Sequence, residues 1–495
     1  MDANTEVAAA LSAAQDIEKA KKVNWEKLDI PVQHVGRAIT LPGDPGKMPL
    51  EKAVEALQRK IAEDNQMVSI HEIIEAYPHD ALVALIKAMQ KLYGWASPVA
   101  TPDFFGPRQP QFLSVKVGHR DDDVVQCPHG SFKLPGVEKA IQTHMGPYGR
   151  NSQPALVITT ECRQKEKVIL LELANEARRI VKEESIYRGK AIRLGVDDEG
   201  SLDFSNPPEF IDTSAVTQDS LVFNASISAQ IETSILTPIK QTATCRKHRI
   251  PLKRGVLLEG PYGTGKSLTA AMTAQVCEQN GWTFILLDKV QGLRVALEFA
   301  NRYAPAVVFA EDIDRIAADR DEKANDLINT IDGVVSKRSE VMTILTTNFA
   351  EKLNPVILRP GRLDAVISLR APDAETVRKL IAFYAGKLLP KGANLDASAD
   401  ELAGQIPASI RECVERAKLG MIGRGDTKLS DHDILISAQT MKNHLDLLNR
   451  DQKVKSNAEL LSEALRKAVL NGEAEVIQNL KNVGKQVEEI HGNVC

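Results

Sequence analysis

At 495 residues the chain is long enough for about three domains, and its 43% apolar content is ample for buried cores. The 62 basic and 66 acidic residues leave a net charge of −4, a balance that argues against a chain built mainly to bind nucleic acid. The six cysteines are scattered without a CxxC pair, the start of the chain lacks the apolar core of a leader, and no run of about 18 apolar residues occurs. The expectation is a cytoplasmic protein with reduced thiols, no membrane span and no disulfide framework.

Residues 1–23 are alanine-rich with mixed charge and read as a peripheral helix. Leu50, Val54, Leu57 and Ile61, then Leu82, Leu85, Ile86 and Met89, recur at helical spacing, so 50–93 reads as helical throughout. Inside it His71-Glu72-Ile73-Ile74-Glu75 misses the HExxH zinc motif at its last residue and reads as helix surface. Gly94 and the Pro/Gly-rich stretch 98–110 end this mainly helical region, 1–110. Residues 112–117 and 155–160 read as strands and 166–186 as an amphipathic helix. A hairpin is expected from 190–196 and 201–204 around Asp197-Asp198-Glu199-Gly200. Together 111–211 reads as a small α+β domain, a place for substrate recruitment. Its Cys127, His119, His129 and His144 lack the tight spacing of a metal site, and Arg120-Asp121-Asp122-Asp123 reads as a solvated turn.

Past Pro207-Pro208 a helical run opens near Ser220, and over 255–369 apolar strands alternate with helices, the pattern of a parallel α/β sheet. Residues 373–445 are mostly helical, and 446–495 form an amphipathic tail broken at Asn471-Gly472. The basic run Arg246-Lys247-His248-Arg249 reads as a linker or an inter-subunit contact rather than a nucleic-acid patch.

The chemistry concentrates in four places. A short apolar strand from Arg254 runs into Gly260, Pro261, Tyr262, Gly263, Thr264, Gly265, Lys266 and Ser267, which fits GxxxxGK[ST], and a helix follows through Leu268. Glycines let backbone N–H groups curl around a phosphate, the helix N-terminus adds partial positive charge, Lys266 reaches the outer phosphates and Ser267 holds Mg²⁺. Ala306-Val307-Val308-Phe309-Ala310 ends in Glu311-Asp312-Ile313-Asp314, carboxylates at the C-terminal end of a buried strand. One can order the metal shell and its neighbour can orient water, although an acidic helix cap has the same pattern. A third strand, 341–345, leads to Thr346-Thr347-Asn348, where an amide can sense a γ-phosphate. Last, Pro360-Gly361 makes a tight turn between Arg359 and Arg362.

In order and spacing these four motifs resemble the Walker A, Walker B, sensor 1 and arginine-finger elements of AAA ATPases, among them katanin, spastin, FtsH-type proteases and the Rieske-protein translocases. The resemblance covers about 220–440. It implies an AAA+ P-loop core at 220–371, a helical lid at 372–445, and ATP with Mg²⁺ at the boundaries of a homo-oligomeric, hexameric ring. By match, Ser267 and Glu311 take the metal, Asp312 the water and Asn348 the sensor role, while Arg359 and Arg362 act on the neighbour's ATP. Ala408 falls at the small-residue position near adenine. A protein client is implied; a clamp or helicase loader, or a slow ATP-gated scaffold, stands as the alternative. Two features depart from the family. The acidic order is Glu311-Asp312 rather than Asp-Glu, which the Rieske-protein translocases share along with the nearby Asn329-Thr330-Ile331-Asp332-Gly333. The segment expected to carry an aromatic pore loop reads Lys289-Val290-Gln291-Gly292 and has none. Lys289 and Val290 are the side chains left to face a pore.

Overall fold

The computed structural model describes residues 50–101, 103–104, 106–148, 153–202, 207–214, 221–314, 339–353 and 362–441. The readings of 1–23, of Asn329-Thr330-Ile331-Asp332-Gly333, of Arg359 and of the 446–495 tail lie outside them. The chain divides into two compact units, with the boundary between Arg188 and Gly189.

In the first unit, helix α1 (Leu50–Asn65) is followed by strand β1 (Met67–Ile74), helix α2 (Pro78–Tyr93) and strand β2 (Pro98–Val99). Strands β3 (Gln111–Lys116) and β4 (Val124–His129) form a separate hairpin. Then come β5 (Ser131–Phe132), β6 (Ile141–Tyr148), β7 (Gln153–Arg163) and helix α3 (Lys167–Glu184). Five strands make an antiparallel sheet in the order β1-β7-β6-β5-β2. The helical reading of 67–74 is therefore corrected. Val68, Ile70, Ile73 and Ile74 are β-branched, and all eight residues of β1 pair with β7, so the ladder takes what periodicity assigned to a helix. His71 and Glu72 lie on this strand. Buried Asp80 accepts from Ser185 Oγ at 2.8 Å and from the Ile186 N–H at 2.9 Å, tying the start of α2 to the end of α3. A buried carboxylate survives only with such donors.

The second unit holds a sheet of β8 (Ala191–Leu194), β9 (Glu209–Phe210), β10 (Arg254–Glu259), β11 (Thr283–Leu287), β12 (Ala306–Ala310), β13 (Val341–Thr347) and β14 (Ala365–Ser368). Their order is β14-β10-β13-β12-β11-β8-β9, parallel except for β9. The central strands read as unbroken apolar runs because both faces are covered. Helix α4 (Lys266–Gln279) and the helical run over 225–247 pack on one face, enclosing Val256, Leu258, Phe284, Phe309 and Ile344. A second core joins helices α6 (Ala374–Ala385), α7 (Asp396–Leu402) and α8 (Pro407–Arg424). Helix α5 (Leu293–Arg302) links β11 to β12. The sequence boundary at 211 moves: β8 and β9 belong to this sheet, because Ala191, Ile192 and Leu194 are almost fully buried and need a parallel neighbour, which β11 supplies. No described helix is long and apolar enough to cross a membrane.

Candidate active site

Three consecutive strands end close together, β12 two residues short of β13. Glu259 of β10 sits opposite Thr347 of β13, and Ala310 of β12 opposite Leu345. The residues that follow, Gly260, Asn348 and Glu311, are thereby delivered to the C-terminal edge of the parallel sheet, where such folds bind ligands.

The loop after β10 turns into α4. Gly263 has φ +78, and a Cβ there would lie 2.7 Å from the Ala408 Cβ, so only glycine fits against α8. The Ala408 N–H donates to the Gly263 carbonyl at 3.2 Å, joining loop and lid. Thr264 Oγ donates to the Pro261 carbonyl at 2.8 Å, and Tyr262 is largely exposed with its ring 5.8 Å from the Lys266 ammonium. Leu268 lies in the first turn of α4.

Lys266 is nearly buried. Its Nζ donates to the Gly260 and Pro261 carbonyls, at 2.6 and 2.9 Å, and to Asn348 Oδ1 at 2.7 Å. Burial pulls its pKa below the ordinary lysine value, against the opposing pull of Asp312, Asp314 and Glu311. Asn348 Nδ2 donates to Asp312 Oδ1 at 2.8 Å. The amide orientation follows from its partners, since an ammonium only donates and a carboxylate only accepts. Ser267 Oγ donates to Glu311 Oε1 at 2.6 Å. This pair of hard oxygens from two elements suits Mg²⁺. Asp312 has φ +54, a left-handed backbone uncommon outside glycine. Its N–H donates to Thr346 Oγ1 at 3.1 Å, and the next N–H donates to the Thr346 carbonyl at 2.9 Å.

Arg362 lies elsewhere. Gly255 and Asp364 exchange two hydrogen bonds, Gly255 N–H to Asp364 Oδ2 at 2.9 Å and Asp364 N–H to the Gly255 carbonyl at 2.7 Å. The Arg362 backbone is thus pinned to the start of β10, whereas the phosphate loop follows its end. Five residues at ~3.3 Å each separate these points by about 16 Å, beyond the span of one arginine side chain.

Thr346, Thr347 and Asp314 stand in the motifs read from sequence, but the sequence assigns none of them a role of its own. Thr346 and Thr347 are essentially inaccessible to solvent, and buried hydroxyls must find partners. Two consecutive threonines closing a mainly apolar strand are the signal. The basic run found a use within its own chain, since Arg246 grips both carboxylate oxygens of Glu340 at 2.7 and 2.6 Å. The expectation that Val290 faces a pore is corrected: it is buried, and the Lys289 ammonium pairs with Asp198 at 2.6 Å.

Comparison with known families matches residues 256–371 to the ATPase family associated with various cellular activities, AAA. That stretch of the second unit thus has the character of an AAA domain on a P-loop core. Among curated relatives it is 30% identical over 210 residues to the 26S proteasome regulatory subunit 8 of Caenorhabditis elegans, a match covering 38% of this chain and 50% of that subunit. It is 30% identical over 215 residues to the probable inactive ATP-dependent zinc metalloprotease FTSHI 2, chloroplastic, of Arabidopsis thaliana, over 39% of this chain and 24% of the relative. The chain spans about half of the first relative's length and about a quarter of the second's.

Proposed function

We propose that the chain binds ATP with Mg²⁺ on the 260–267 loop, hydrolyses it between subunits of a ring, and spends the cycle on remodelling a protein client. The observation that carries this reading is the convergence on one edge of Lys266, Ser267, Glu311, Asp312 and Asn348, linked by hydrogen bonds of 2.6–2.8 Å. The 260–267 amides and Lys266 hold the phosphates. Ser267 and Glu311 hold the metal, which when bound neutralises charge on the phosphate oxygens. Asp312 and Asn348 orient the attacking water. The position of Arg362, far along β10 from its own phosphate loop, supports action on a neighbouring subunit. The proteasomal relative supports a protein client and a ring.

Complementation between two variants tests the assembly. Asp312→Asn and Arg362→Ala proteins are each expected to be silent alone. Mixed, Asp312→Asn subunits supply Arg362 to the intact sites of their neighbours, and turnover returns. Silence of the mixture, with rings verified by light scattering, refutes action in trans. A second reading, an ATP-gated scaffold that turns over slowly, is favoured by the Glu311-Asp312 order, because aspartate is one methylene shorter than the usual glutamate. Mg²⁺-dependent turnover of the intact chain decides between the two.

A further inference from the structure

Asp314 has no part in the reading above, yet its carboxylate holds the corner on which the sensor amide stands. Its Oδ1 accepts from Thr347 Oγ1 at 2.8 Å and from the Asn348 N–H at 3.2 Å. The Thr347 hydroxyl in turn accepts from the Phe349 N–H at 3.1 Å. The backbone on both sides of Asn348 is thereby fixed from one carboxylate oxygen, just where β13 ends and strand pairing no longer holds the chain. Asn348 then has its Oδ1 committed to Lys266 and its Nδ2 to Asp312.

We infer that Asp314 is a positioning residue for hydrolysis: it sets the backbone of Asn348 so that one amide bridges Lys266 and Asp312. This inference rests on the proposed ATPase reading. Asp314 reaches the reaction only through Asn348. An acceptor that binds a hydroxyl and an N–H together suits a carboxylate, and an asparagine carbonyl oxygen in the same place can accept both. Loss of the acceptor leaves Asn348 free to swing, and a misplacement of about 1 Å in a reacting assembly can cost ~10²-fold in rate.

The test uses the full chain with Mg²⁺-ATP. Asp314→Ala is expected to lower kcat on the order of 10- to 100-fold, while affinity for a fluorescent ATP analogue changes less than about threefold. Asp314→Asn is expected to recover most of the lost rate. The double variant Asp314→Ala/Asn348→Ala is expected to be no slower than Asn348→Ala alone, since groups acting as a unit are not additive. Additive losses in the double variant, or equal losses of affinity and kcat in Asp314→Ala, overturn the positioning role while leaving the ATPase reading intact. An intact chain that binds the analogue but never turns over overturns both.

Discussion

Two places on the same edge of the second unit's sheet behave differently. At the ends of β10, β12 and β13, polar groups turn toward one another around Lys266. At the end of β11, they are engaged by the added strand β8 and the turn that follows it. Asp288 meets Arg193 at 3.4 Å, Lys289 meets Asp198, and a Cβ on Gly200 would lie 2.6 Å from the Gln291 carbonyl oxygen. Burial raises the Asp288 pKa, with Arg193 pulling the other way. Strand order explains the contrast. β10, β13 and β12 are consecutive in the sheet and bring Gly260, Asn348 and Glu311 together, while the end of β11 meets the turn that follows β8. A C-terminal strand end is an offer of a site, and the neighbouring chain decides whether the offer is taken.

The largest expected effect is at the centre of the first place. Lys266→Ala should weaken ATP binding roughly 100-fold or more, the worth of two charge-assisted hydrogen bonds at ~1.5 kcal/mol each, and calorimetry reads it directly. Next, Thr346→Val keeps the shape of a buried side chain but removes the acceptor for the Asp312 N–H. Turnover should fall about 10-fold, in line with the ~1–3 kcal/mol of an unsatisfied buried donor, with ATP affinity preserved. A drop in affinity instead would mean that the Asp312 turn serves binding.

The β11 end should respond through stability. Gly200 has φ +81, so Gly200→Ala carries both backbone strain and the close approach to Gln291. A loss of about 1–2 kcal/mol in chemical denaturation is expected, without change in ATP affinity. Smallest of all is Lys289→Met. Its ion pair with Asp198 is exposed, and such pairs are screened by water and salt, so turnover and melting temperature should both stay within error. Collapse of turnover in Lys289→Met would break the comparison, because the β11 loop would then belong to the motor.

Much of the second unit was legible because its signals are local. The eight residues from Gly260 to Ser267 carry their own geometry, and apolar runs such as Val256-Leu257-Leu258, set directly before that loop, fit strands buried on both faces. The first unit was less legible. Its β1 has an ambiguous pattern of β-branched and polar residues and becomes a strand only through β7, an antiparallel partner distant in sequence. The part Asp314 plays is illegible in sequence for a similar reason: an acid after a strand is ordinary until its hydroxyl and N–H donors, 33 and 34 residues away, lie beside it.

The sequence by itself determined the glycine-rich turn at 260–267, the acidic and Thr-Thr-Asn strand ends, and the alternation of strand and helix that makes the sheet parallel, since each depends on neighbours within a few residues. Only the tertiary structure decided that β8 and β9 widen that sheet, that Val290 turns inward, that Arg362 sits at the far end of β10 from Lys266, and that one Asp314 oxygen accepts from both Thr347 and Asn348. Those outcomes depend on which strands lie side by side, and pairing across a hundred residues is settled by the burial and hydrogen bonding of the whole chain at once.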